Sequence, residues 1–198
     1  MSWSKIDICN MALAKAGHSQ LINSLDYSGG STAVPQEVQM CLLYWGLAFE
    51  ATARSHPWNC LLRQADISAS ITTAPAFGYS YAYSLPADYL GWLRFEDPDV
   101  TYRRVGRTIH TDETDVDIWY VARTEDTDLY DPLFVEALVM RLAAHLVPAF
   151  QGENSLQRAQ ELTLWHERVS LPAARFADSA EGMAGTWEST EWLDSRSE

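Results

Sequence analysis

Positive charge is scarce in this 198-residue chain, where 14 Lys and Arg stand against 27 Asp and Glu for a formal net charge of −13. A protein that grips nucleic acid by its phosphates needs a basic face. This one repels DNA over most of its surface. Cysteine is scarce too: Cys9, Cys41 and Cys60 are odd in number, widely spaced and form no CxxC pair, which argues against a zinc ribbon. Each lies in an apolar or helical context, where a small buried hydrophobe is the expected role. The five histidines, His18, His56, His110, His145 and His166, show no HExxH spacing, so neither a metal nor another cofactor is expected. No apolar run approaches the roughly 18–20 residues of a membrane helix. The opening MSWSKIDICNMALAKAG mixes polar residues where a signal peptide is continuously apolar, and the expectation is a soluble protein made in a cytoplasm. Neither a GxSxG elbow nor a GxxxxGK[ST] loop occurs. Gly29–Gly30–Ser31 has no lysine after it and reads as a turn.

What is present is ample apolar material, 47% hydrophobic and 12% aromatic, enough for one real core. Ser4 and Asp7 have capping-box spacing. Ile6, Cys9, Leu13 and Ala16 then recur at helical intervals up to Gly17, a natural stop. A polar, turn-rich stretch leads to a longer helix over about 33–56, with Val34, Val38, Cys41, Trp45, Ala48 and Thr52 on one face and Leu42 and Phe49 widening it. Pro57 ends it. Asp131 and Pro132 announce a third helix by cap and first-turn proline. Its buried stripe is Phe134, Ala137, Leu138, Leu142, Leu146 and Val147, and Pro148 with Gly152 closes it. A fourth helix starts at Asn154, with Leu156, Ala159, Leu162 or Thr163, and His166 inward, and ends at Pro172.

Between the helices the period changes to two. Candidate strands run over 61–71, 77–85, 89–95, 101–105 and 107–111, and then through Val116, Ile118 and Tyr120. The segment FGYSYAYSLP is the most patterned. Phe77, Tyr79, Tyr81 and Tyr83 alternate with Gly78, Ser80, Ala82 and Ser84, so a strand here has one aromatic and one nearly bare face. The aromatic face is expected to pack inward, and the bare face offers an inter-subunit contact. The fold class expected is α+β: a helical bundle from 1–57 and 131–172, an inserted antiparallel β region over 58–130, and an extended C-terminal tail over 173–198.

That tail is acidic and rich in Gly, Ser and Thr, with Met183, Trp187, Trp192 and Leu193 as its apolar anchors. Such a segment cannot offset its own ordering entropy, so it is expected to dock on a partner, with the two tryptophans as anchors. Glu50, Asp88, Glu96, Asp97, Asp112, Glu113, Asp115 and Asp117 invite a search for a glycosidase carboxylate pair, but turns and outward strand positions make a solvated face the default. His56 and Cys60 form at best an arbitrary Cys–His pair across Pro57.

Taken in order, these segments resemble the head-to-tail adaptors of tailed bacteriophages, the tail tubular protein A group and its packaged-DNA-stabilising relatives. Asp7, Asn10, Ala12 and Leu13 match the family's opening helix run, and Ile22, Ser24 and Leu25 its following loop. His56–Pro57–Trp58–Asn59 matches the element that ends the long helix. Leu85, Pro86, Asp88 and Leu90 match its LPxDxL. A Tyr-and-Gly hairpin from Tyr102 to Ile109, a strand ending near Arg123, and Phe134, Glu136, Ala137 and Leu138 complete the series. The likeness covers about 4–150, and more loosely runs to 172.

The resemblance implies a virion structural protein without catalytic turnover. It implies a homo-oligomeric ring, twelve copies in the family, lying below the portal, extending the DNA channel and retaining packaged DNA. The implied partners are the portal protein, other copies of the chain, a distal tail or nozzle protein, and passing double-stranded DNA without specific binding; no membrane is implied. Portal contact is expected from Met183, Trp187, Trp192 and Leu193, and carboxylates facing the lumen would keep DNA from sticking. The alternative is a tail-associated glycoside (peptidoglycan) hydrolase. A scaffold or chaperone that leaves before maturation is a third option.

Overall fold

The computed structural model describes residues 3–26, 34–150 and 155–182. It is a mixed α+β fold. Helix α1 (Lys5–Lys15) starts at the expected capping box, with the Ser4 hydroxyl accepting from Asp7 N–H and the Asp7 carboxylate from Ser4 N–H. Helix α2 (Gln36–Ala53) follows, then six strands: β1 (Leu62–Asp66), β2 (Tyr81–Ser84), β3 (Tyr89–Phe95), β4 (Tyr102–Val105), β5 (Thr108–Thr111) and β6 (Asp117–Ala122). Helix α3 (Pro132–Phe150) begins where Asp131 accepts from Leu133 N–H at 2.8 Å. Helices α4 (Ser155–Trp165) and α5 (Leu171–Gly182) are joined by a π-helical segment, His166–Ser170.

Helix α3 is the axis of the bundle, packed against α1, α2, α4 and α5. Every residue of its expected stripe is buried. It is long and apolar enough, by length and composition alone, to cross a bilayer, which corrects the expectation that no such run exists; here its apolar faces are spent on neighbouring helices. An aromatic cluster fixes the joint with the β region. The Trp58 ring meets Phe134 edge-on at 5.2 Å, Phe134 meets Tyr130 at 5.2 Å, and Phe49 meets Phe134 at 6.2 Å. The Trp58 indole N–H, fully buried, donates to the Thr52 carbonyl at 2.9 Å, as a buried tryptophan requires. Thus Pro57 stops α2 and Trp58 turns back into the core.

The strands form two three-stranded antiparallel sheets, ordered β1-β6-β3 and β2-β5-β4. A second hydrophobic cluster, centred on Tyr83, Phe95, Ile109, Ile118 and Tyr120, belongs to the β region. Strand β3 passes so close to the end of α2 that a Cβ on Gly91 would stand 3.0 Å from Arg54 Cγ. Register shifts on both sides of Gly91 mark a bulge there, and Trp92 takes φ 35°, a left-handed conformation that costs a non-glycine residue roughly 1–2 kcal/mol.

Four expectations change. The strand expected over 61–71 stops at Asp66, and Ser68–Ser70 form a tight turn instead. Helix α3 runs through Pro148 to Phe150; a proline forfeits only its own N–H bond, and packing supplies the rest. Leu42 and Leu156, expected inward, are exposed. Pro172 ends nothing, so residues 173–182 are helical rather than extended. The π segment explains this last point, since the Leu171 N–H reaches back to the His166 carbonyl. The widened turn gives the proline ring room where an α-helical carbonyl would clash. The rest of the expected tail, including Met183, Trp187, Trp192 and Leu193, lies outside the described residues, as does Asn154.

Candidate assembly surfaces

The ribbon does not form one strand. Gly78 has φ +95°, which bends the chain, and the Ser80 N–H is taken by the Asp112 carboxylate at 2.7 Å. Pairing therefore begins only at Tyr81, and Phe77, expected inward, is 85% exposed. Tyr83 packs inward, with its hydroxyl donating to the Glu113 carbonyl at 2.9 Å. The small-residue side is partly filled by the chain itself. Ala82 is 2% exposed, and its carbonyl accepts from the Thr72 N–H at 2.7 Å and hydroxyl at 3.0 Å. Ser84 is half-buried, with its carbonyl bound by Ser70. Gly78 and Ser80 remain open to solvent.

Two outward apolar stripes lie on helices, and periodicity did not reveal them because the helices bury their other faces. Trp165, Val169, Pro172 and Phe176 follow at spacings of four, three and four residues, and all are exposed, Phe176 at 79%. Such spacing places them on one side of the α4–α5 rod. A second stripe lies on α2, where Leu42, Leu43 and Leu47 are exposed and nothing stands within 4 Å of a Cβ on Gly46.

A cleft of about 420 Å³ opens where the bundle meets the sheet, walled by Pro57, Leu62, Trp92, Arg94 and Trp119. Its floor is Asp178 of α5, which accepts from Asn59 N–H at 3.0 Å and pairs with His56 Nε2 at 3.0 Å, while Asn59 Nδ2 donates to the Asp178 carbonyl at 2.7 Å. The bulge at Gly91 turns Trp92 into this cleft. His56 is thereby committed to Asp178 and not to Cys60, whose thiol burial pushes up to about 11. Cys9 and Cys41 are buried, and the hydrogen bond between them, with burial, raises Cys9 above the ordinary thiol range. The same bond lowers the Cys41 thiol, which is fully buried; Cys9 and Cys41 pack in the core and Cys60 lies against it. Among the described residues no cluster of His, Cys, Asp and Glu is suited to holding a metal.

The carboxylates gather at one end of the first sheet. Asp66 pairs across from Asp117, and Phe95 from Ile118, so the turn carrying Glu96, Asp97 and Asp99 meets the one carrying Asp112, Glu113 and Asp115. All eight are exposed. Glu96 and Asp117 line a shallow cleft of about 230 Å³, where Glu96 accepts the Trp119 indole N–H. Asp88 and Glu50 are engaged elsewhere, Asp88 by Arg63 and the Tyr120 hydroxyl, each at 3.0 Å, and Glu50 by Arg123. The Tyr120 hydroxyl is pushed up to about 12 by burial and then by its bond to Asp88. Set beside known proteins, the chain matches no family model and no curated protein.

Proposed function

We propose that the chain is a virion structural protein of a tailed bacteriophage, a head-to-tail adaptor. Twelve copies form a ring below the portal that extends the DNA channel, retains the packaged genome and joins tail to capsid. One observation carries the reading: many residues of the ordered resemblance hold this fold's junctions. Asp7 caps α1, and Asn10 clamps Ile22 by N–H and carbonyl at 2.8 and 3.0 Å. Trp58 locks α2 to α3, Leu85 is buried, Asp88 binds β1 and β6, and Phe134, Ala137 and Leu138 are core. Matched positions that hold the fold together favour the reading more than exposed ones would.

Two further features favour it. A ring needs heterologous contacts, in which one patch meets a different patch on the next copy, and the α4–α5 and α2 stripes are two unlike exposed apolar patches. The acidic end of the first sheet suits a lumen past which DNA must slide. Met183, Trp187, Trp192 and Leu193 are assigned to portal contact. The test is native mass of the full chain, alone and mixed with portal rings. A monomer alone and a fixed complex with portal, lost on truncation after residue 182, is expected. No complex at any salt concentration defeats the proposal.

The hydrolase reading keeps one observation in its favour, that Glu96 and Asp117 line the same shallow cleft. Hydrolysis of peptidoglycan that is abolished by E96Q or D117N would move the assignment there.

A further inference from the structure

The junction of α3 with the π segment gathers nitrogen donors. Arg141 and His145 sit one turn apart on α3, and His166 opens the π segment. With Ala144, Thr163 and Glu167 they line a cavity of about 110 Å³. His166 is 2% exposed. Neither of its ring nitrogens has a hydrogen-bond partner, nor has the Nε of Arg141 or of Arg175, although all four atoms are closed off from solvent. The Ala137 carbonyl lies near the imidazole but outside hydrogen-bonding geometry. Buried polar atoms are normally paired, so four orphans around one junction ask for an acceptor.

Among the described residues no acceptor meets these atoms in hydrogen-bonding geometry. Thr163 gives its hydroxyl proton to the Ala159 carbonyl at 2.8 Å. Glu167 is the one acid on the rim, and among the described residues it makes no ion pair with Arg141. Tyr44 of α2 offers a ring face, stacked on His145 at 5.5 Å. The cavity holds the equivalent of roughly three or four waters at ~30 Å³ each, room for an oxyanion of phosphate or carboxylate size.

We propose that Arg141, His145 and His166 form a binding site for a small oxyanion, a phosphate or a carboxylate, between α3 and the π segment. The guanidinium fork matches two oxygens of either group, and each imidazole adds a donor. Burial and then Arg141 hold His145 below the ordinary histidine range. Burial, Arg141, Arg175 and His145 bring His166 down to about 4. A bound anion opposes all of these, so it raises the proton affinity of both rings. It also ties the π segment to α3 and so fixes the direction in which α5 presents Phe176. The site does not depend on ring formation.

The experiment uses the full chain in a phosphate-free buffer. Inorganic phosphate and acetate are added separately, with chloride at matched ionic strength as control, and the histidine ring resonances and thermal unfolding are followed. A saturable response is expected, with the titration midpoints of His145 and His166 both raised. R141Q should weaken it at least tenfold, and H145Q should do the same on its own, in case R141Q does not fold. Saturation by phosphate alone assigns free phosphate; saturation by acetate as well assigns general carboxylate binding, including a side chain of another copy. Shifts that follow ionic strength and are equal in chloride, or variants that bind as wild type does, overturn the site.

Discussion

Asn10 decides where the chain goes after α1. Its amide accepts from Ile22 N–H and donates to the Ile22 carbonyl, pinning the loop where Ile22 enters the core. Asn10→Ala leaves both backbone groups unpaired in a part-buried place. It should lower stability by about 1–3 kcal/mol in urea unfolding, with Asn10→Asp recovering part of the loss because it keeps the acceptor alone. The residue was legible in the sequence as part of a motif, but the twelve-residue gap to its partner was not, because nothing local encodes it. His166 makes a second prediction at this scale. Its ordinary value is 6.5 and burial brings it to about 4 in the folded chain, so between those values the unfolded chain binds a proton that the folded chain refuses. This contribution is fully present above pH 6.5 and is lost as pH falls toward 4. A gap of that size is worth about 3 kcal/mol. H166Q should flatten the fall in urea midpoint between pH 7 and pH 4.5, measured without phosphate; an unchanged slope would place the acid sensitivity elsewhere.

Elements were legible where apolar residues recur at helical spacing and obscure where the chain covers itself. The stripe of α3 was read correctly because all its residues are buried, although α3, packed on four helices, also buries Val135, Val139, Met140 and Ala143 beyond it. The ribbon was misread because alternation assumes continuous pairing, and Gly78 with the Asp112–Ser80 bond interrupts it before Tyr81. Pro172 was misread as a stop because a π turn, which relieves its clash, has no pattern of its own. The same segment brings Trp165, Val169, Pro172 and Phe176 to the outside, and an exposed apolar stripe looks, in sequence, like any other helix face. Trp165→Glu combined with Phe176→Glu tests what the stripe is for. Exposed substitutions of this kind change stability within about 0.5 kcal/mol, so the thermal midpoint should stay close to wild type. Association between copies should be lost on the portal, read as free chain in sedimentation. A variant that unfolds instead would mark the stripe as internal packing.

Charge acts over the whole molecule. Each copy carries −13, with eight carboxylates at one end of the first sheet, so neighbouring copies in the proposed ring would repel while their apolar stripes would attract. Salt discriminates the two terms. The screening length falls from about 30 Å at 0.01 M to about 8 Å at 0.15 M, which weakens the repulsion and leaves apolar burial intact. Association of the untemplated chain should therefore strengthen between 20 and 500 mM NaCl, measured as sedimentation-average mass at one protein concentration. Replacing Glu96, Asp97, Asp112 and Glu113 by their amides should shift that rise to lower salt without moving the thermal midpoint much, because all four are exposed. An interface held by ion pairs predicts the reverse, with dissociation as salt is added. That outcome would move the contact from the helix stripes to charged side chains, and it would remove the reason for a monomer to wait for its template.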